Sequence, residues 1–205
     1  MKITNILEIP FIWRLFRKII DVFFGLYRKR MAVIREFGVT RENSIIDIAC
    51  GTGEYSQITD AKYLGIDLNK KYIETARKVY TGKEFLCADA NTAKIVGGSY
   101  DVALLIDATH HLSDQENTTL LRNLNRVASQ YVIICDPIKQ KRWNLTGRLL
   151  TYLDRGQFIR SEENLLELVK NDLSIQGVAR LKMMGIESIC ILAQPKTDSR
   201  KFSKP

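Results

Sequence analysis

The chain is poor in the residues on which many catalytic and structural schemes depend. Its 205 residues include two histidines, four cysteines and four prolines. No cysteine stands in a CxxC pair, and none is spaced with the histidines as a ligand set would be, so we expect no bound metal. Cys50, Cys87, Cys135 and Cys190 lie in or beside apolar strand-like runs and read as reduced core thiols of a cytoplasmic protein. Internal repeats and low-complexity linkers are missing too. With 45% hydrophobic residues, the length suits one domain with a full core and some additions.

Acid is scarce at the two ends. Residues 1–42 carry nine basic and four acidic side chains and residues 196–205 carry four and one, whereas the stretch between holds eighteen of each. The body is neutral, and basic residues are not interleaved with aromatics through it, which argues against a nucleic-acid partner. Residues 8–24 show apolar positions Ile12, Leu15, Phe16, Ile19, Ile20 and Phe23 at helical spacing, with Arg14, Arg17 and Lys18 on the other side. This helix is too short and too charged to span a bilayer, and no small-residue cleavage site accompanies it. It is expected to cap the domain, with contact to a membrane surface over residues 8–25 as the competing reading.

What is present begins at residues 44–57, SIIDIACGTGEYSQ. An apolar run suits a strand buried on both faces, and Gly51 and Gly53 then permit a tight turn that lets a ligand touch bare backbone at a helix start. A dinucleotide turn would put a third small residue and a pyrophosphate where this chain has Ser56 and Glu54, and Glu54 would repel the pyrophosphate. Asp47 adds negative charge before the turn. Asp67, ending a second strand, can accept both hydrogen bonds of a ribose diol. The set favours a nucleoside with a cationic tail.

Four motifs stand in register at predicted strand ends: DIACGTG at 47–53, GIDLN at 65–69, CADA at 87–90 and YDVALLIDATHHLSD at 100–114. On these the sequence resembles the Rossmann-like (class I) S-adenosylmethionine-dependent methyltransferases, over residues 44–195. The resemblance implies a doubly wound α/β sheet of seven strands, order 3-2-1-4-5-7-6 with strand 7 antiparallel. It divides the chain into an N-terminal helical cap at 1–42, the methyltransferase domain at 43–195, and a basic tail at 196–205. It also implies a cofactor grip: backbone at Ala49, Gly51 and Gly53 along the methionine part, Asp47 on its ammonium, and Asp67 on the ribose. Leu68 would pack the adenine, Asp89 and the Ala90 N–H would read its edge, and Ile106 and Asp107 would close the pocket. Tyr27 and Arg30, from a second helix at 26–37, are nominated for the methionine carboxylate.

His110 and His111 follow the fourth strand, where the methyl must emerge, and an imidazole there can take a hydroxyl proton. No NPPY-like element stands at that place, as it does in the amino-methylating relatives, so a small acceptor methylated at oxygen is preferred. Residues 138–158 break the α/β alternation and would overlook the strand ends as a substrate lid. Trp143, Tyr152, Arg155 and Arg160 are the contacts expected from it, the arginines suiting an anionic acceptor and the aromatics a hydrophobic one. The competing function keeps the cofactor grip without transfer: a scaffold recruited to membranes or partners by the basic N-terminal helices.

Overall fold

The computed structural model of the protein describes residues 25–92, 100–154 and 156–196. The helix expected at 8–24, its membrane contact, Arg155 and the tail beyond Lys196 lie outside the described residues.

In chain order the elements are α1 (Leu26–Glu36), β1 (Ile45–Ile48), a 3₁₀ turn (Glu54–Ile58), β2 (Tyr63–Asp67), α2 (Lys70–Val79), β3 (Glu84–Cys87) and β4 (Tyr100–Ile106). A second 3₁₀ turn (Thr109–His111) leads to α3 (Asp114–Val127), β5 (Ala128–Pro137), α4 (Leu145–Leu153), α5 (Glu162–Asp172), β6 (Leu173–Met183) and β7 (Ile186–Pro195). The sheet runs β3-β2-β1-β4-β5-β7-β6, with β7 antiparallel to both neighbours, as the family resemblance implies. The β6–β7 hairpin turns at Met184 and Gly185, whose φ of 53° and 87° suit a tight two-residue turn.

Strand residues alternate between two cores. Ile46, Ile48, Ala103 and Leu105 face α3 and α5, while Ile45, Val102 and Leu104 face α1 and α2. Truncating Leu124, fully buried in the first core, to Ala would cost ~2–5 kcal/mol. The helix starts are chemical. Ser113 and Glu116 close a capping box on α3, Asn69 accepts from two N–H groups of α2, and Ser161 caps α5. Although α1 was grouped with the N-terminal cap, its Ile34 and Val33 share a core cluster with β1 and β4.

Two expectations are corrected here. The cysteines are not all free core thiols: Cys135 and Cys190 oppose each other on β5 and β7, 4.1 Å apart at Cα, and form a disulfide. Fifty-five residues separate them in sequence, and only the strand pairing brings them together. Of the free pair, Cys50 is buried and Cys87 is exposed. The glycine turn also opens a five-residue 3₁₀ turn rather than a full α-helix.

Candidate active site

The adjacent strands β1 and β4 each lead into a non-glycine residue in the left-handed region, Ala49 at φ 57° and Asp107 at φ 53°. Such residues are held by their surroundings and gather at functional sites. Both line a cavity of about 610 Å³ at the carboxyl ends of the strands. One wall is acidic, with Asp47, Glu54 and Asp67. The opposite wall is apolar, with Leu150 and Leu153 from α4 and Met183, Met184 and Ile186 from the hairpin.

The acidic wall is built from short-range contacts. Asp67 Oδ2 accepts from the Gly51 N–H at 2.9 Å and Oδ1 from the Asn69 N–H at 2.7 Å, so the carboxylate ties the glycine turn to the start of α2. Burial raises the Asp67 pKa, and the two backbone donors pull against it. Asp47 is fully buried and accepts from Tyr63 Oη–H at 2.7 Å. Burial pushes it up to about 7, the Tyr63 hydrogen bond opposes this, and the charges of Asp67 and Glu54 push the same way as burial. An acid in that position gains from a cation placed beside it. Gly51, at φ 57°, has open space where a Cβ would stand, so bare backbone faces the cavity.

Not every expected cofactor residue lines this cavity. Leu68 is 71% exposed at the end of β2. Asp89 caps its own turn, accepting from the Asn91 N–H at 2.8 Å, and Ala90 packs against the core. Their segment lies beside the end of β2, because the Ala88 N–H donates to the Asp67 carbonyl at 3.1 Å. Ile106 and Asp107 do line the cavity, as do Tyr27 and Arg30. Arg30, however, does not present a free fork: both its terminal nitrogens engage the Asp107 carboxylate, one at 2.6 Å. Burial lowers the Arg30 pKa, but the charges of Asp107 and Tyr55 and their hydrogen bonds together outweigh it and leave the guanidinium raised. Asp107, so paired, is a poor base, and Arg30 neutralises it rather than reaching for a carboxylate.

The two histidines part company. His110 is buried, its Nδ1 2.7 Å from Asp136 Oδ1 and its Nε2 3.1 Å from Asp154 Oδ2. Thr109 Oγ–H donates to the other oxygen of Asp136, and the Phe158 N–H donates to the His110 carbonyl at 2.9 Å. Gly156 closes over the ring so tightly that a Cβ there would lie 2.2 Å from His110 Cδ2. Burial alone would push His110 down, but the carboxylates on its two nitrogens raise it to about 10. It is a locked cation behind the cavity wall, which removes it as a base. His111 lines the cavity, its ring centroid 4.1 Å from that of His110. Desolvation, then the charge on His110, lowers its pKa, so it is neutral where His110 is charged.

His110, His111 and Asp154 also present donor atoms within 4.8 Å of one another, a spacing open to a cation only after His110 gives up its proton. Sequence reasoning passed over Asp136 and Asp154. Only the fold brings these to the histidine.

Three expected acceptor contacts fare differently. Trp143 and Tyr152 are 79% and 82% exposed and do not line the cavity. Tyr152 sits on a helix that docks through Gly147, Trp143 stands just before that helix, and both side chains face outward. Arg160 is not available to an anion: it donates to Asp114 Oδ1 and to the carbonyls of Thr109, Leu112 and Phe158, clamping the histidine turn to the segment after α4.

A parallel-dominated sheet of this order, with a glycine turn and an acidic cavity at its carboxyl edge, defines the Rossmann-like nucleoside-binding enzymes. Residues 45–130 match the family model described as a methyltransferase domain. No curated protein sequence matches the chain. Among solved structures, the PH0226 protein from Pyrococcus horikoshii OT3 has a TM-score of 0.66 at 18% identity, with 83% of this chain and 91% of that one covered. Magnesium protoporphyrin IX methyltransferase from Synechocystis PCC 6803, with bound SAH, has a TM-score of 0.62 at 20% identity, covering 80% and 79%. The [4+2]-cyclase SpnF, at 0.65 and 14% identity over 83% and 82%, shares the same fold. Residues 45–130 are thus a methyltransferase domain on a fold shared with solved methyltransferases, which implies S-adenosylmethionine as the methyl donor. The residues present fit its methionine and ribose parts: bare backbone at Gly51, and Asp47 and Asp67 on the same wall.

Proposed function

We propose that the protein methylates an oxygen of a small, hydrophobic acceptor that enters the cavity along the α4 wall, with His111 as the base. The observation that carries this reading is the contrast between the paired histidines, one locked as a cation and the other neutral on the cavity wall. The cofactor supplies an electrophilic methyl group on a positively charged sulfur, so the protein's task is placement, exclusion of water and removal of one proton. Asp67 holds the ribose, and Asp47 faces the ammonium, its carboxyl kept near 7 until a cation arrives. His111 accepts the acceptor's hydroxyl proton at a ring nitrogen as the oxygen attacks. His110 is a positioning residue: its charge keeps a proton off His111, and its carboxylate partners hold the turn in place.

The apolar wall supports a hydrophobic acceptor over an anionic one. Among the described residues, Arg30 and Arg160 both spend their donors on protein groups. Supplied with labelled S-adenosylmethionine and hydrophobic phenols or alcohols, the enzyme is expected to release S-adenosylhomocysteine and an O-methyl product. His111→Gln is expected to lower turnover ~10²–10⁴-fold with cofactor affinity unchanged. Full turnover by that variant, or a product methylated at nitrogen, would overturn the assignment.

A further inference from the structure

Helix α4 is amphipathic the wrong way round for a protein surface. Its buried positions are Gly147 and Thr151, while Leu145, Leu149, Tyr152 and Leu153 are 71%, 59%, 82% and 56% exposed. Those four fall at i, i+4, i+7 and i+8, one continuous stripe along the helix. The inversion is enforced by packing. A Cβ on Gly147 would lie 2.4 Å from the Gly185 carbonyl of the hairpin turn, so this face must be bare for the helix to seat. Asn144 fixes the seat, donating to the Gly185 carbonyl at 2.6 Å and to Gln140 Oε1 at 2.9 Å. Trp143, 79% exposed just before the helix, extends the stripe, and Lys141 Nζ sits 5.8 Å from its ring.

Along the stripe the charge is mainly basic, with Asp154 directly after the helix and Glu162, Glu163 and Glu187 grouped with Lys139 and Lys141. Residues 138–153, IKQKRWNLTGRLLTYL, contain Lys139, Lys141, Arg142 and Arg148 and no acidic residue, although the body of the chain is neutral. All four basic side chains are exposed. Leucines for the acyl boundary, a tryptophan and a tyrosine for the headgroup level, and an excess of basic over acidic residues along the helix are what a helix lying in an anionic membrane interface requires. A protein partner would more often call for the two signs in balance along such a patch. The same helix gives Leu150 to the cavity wall, and Leu153, at the end of the stripe, lines that cavity as well as facing out.

We propose that α4 with Trp143 is a lipid-surface docking element, seating the protein on an anionic bilayer with the acceptor side of its cavity against the lipid. This is a binding property of the chain, separate from the chemistry proposed above, and its test needs no turnover. The full chain carries two tryptophans, Trp13 and Trp143, so Trp13→Phe leaves Trp143 as the sole reporter. With vesicles containing an anionic phospholipid, its emission is expected to shift to the blue and to be quenched by brominated acyl chains, but not with purely zwitterionic vesicles. Leu145→Asp/Leu149→Asp is expected to lower vesicle co-sedimentation ~10-fold or more, with S-adenosylmethionine affinity unchanged as the check on folding. Trp143 emission indifferent to anionic vesicles would overturn the proposal. So would undiminished co-sedimentation of the double variant, which would move the contact to residues outside α4, or a dimer in gel filtration that the double variant disperses.

Discussion

The two walls of the cavity are built by different means. On the nucleotide side the decisive contacts are short in sequence: Asp67 reaches Gly51 and Asn69, and Asp47 reaches Tyr63 on the neighbouring strand. On the acceptor side they are long: His110 reaches Asp136 and Asp154, and Arg160 returns to Thr109 and Asp114. A wall of the first kind is fixed once β1 and β2 pair. One of the second kind exists only when β5, α4 and the segment after it are all in place, so the acceptor side should fail first and alone.

The hardest blow to that difference is Asp136→Ala. It removes the acceptor of His110 Nδ1 and of the Thr109 hydroxyl at a buried position, and should cost ~3–5 kcal/mol in urea unfolding. Under native conditions the variant should still bind S-adenosylmethionine, and loss of binding with the fold intact would show that the two walls are one unit. The reciprocal cut, Asp67→Ala, should weaken cofactor binding ~10–100-fold by calorimetry and leave the His110 cluster standing.

A finer probe is the pH dependence of stability without ligand, because the two walls titrate in separate windows. Asp47 has a folded pKa of about 7 against an ordinary 3.8, so its contribution is complete below 3.8 and lost as pH rises to about 7. His110, at about 10 against 6.5, contributes fully below pH 6.5 and loses that contribution as pH rises through about 10. Two declining steps are expected in chemical denaturation across that range. Asp47→Asn should remove only the lower step and His110→Gln only the upper.

The same division governs what can be read from the chain before folding. Strand order and the glycine turn were legible because both rest on motif spacing. The roles of His110 and His111 were not separable: adjacent residues in a short turn point different ways, and which one meets Asp136 is decided by the packing of β5. Arg160 looked like an anion receptor because three of its partners are backbone carbonyls, which leave no mark in a sequence. Trp143 and Tyr152 were placed over the acceptor because aromatic residues in an insertion suggest contact. Both face outward instead, Tyr152 from a helix that docks through Gly147.

The Cys135–Cys190 bond joins strands that are already hydrogen-bonded neighbours, and it closes a covalent loop from Asp136 to Ile189 whose last complete strand, β6, is itself paired to β7 on both sides of Cys190. That loop carries α4, α5 and most of the hairpin. A chain tied there cannot carry this segment far from the strand ends, even when it opens. The strands of the nucleotide side, β1 and β2, lie outside that loop, which offers this scaffold a route to a different acceptor without recutting them.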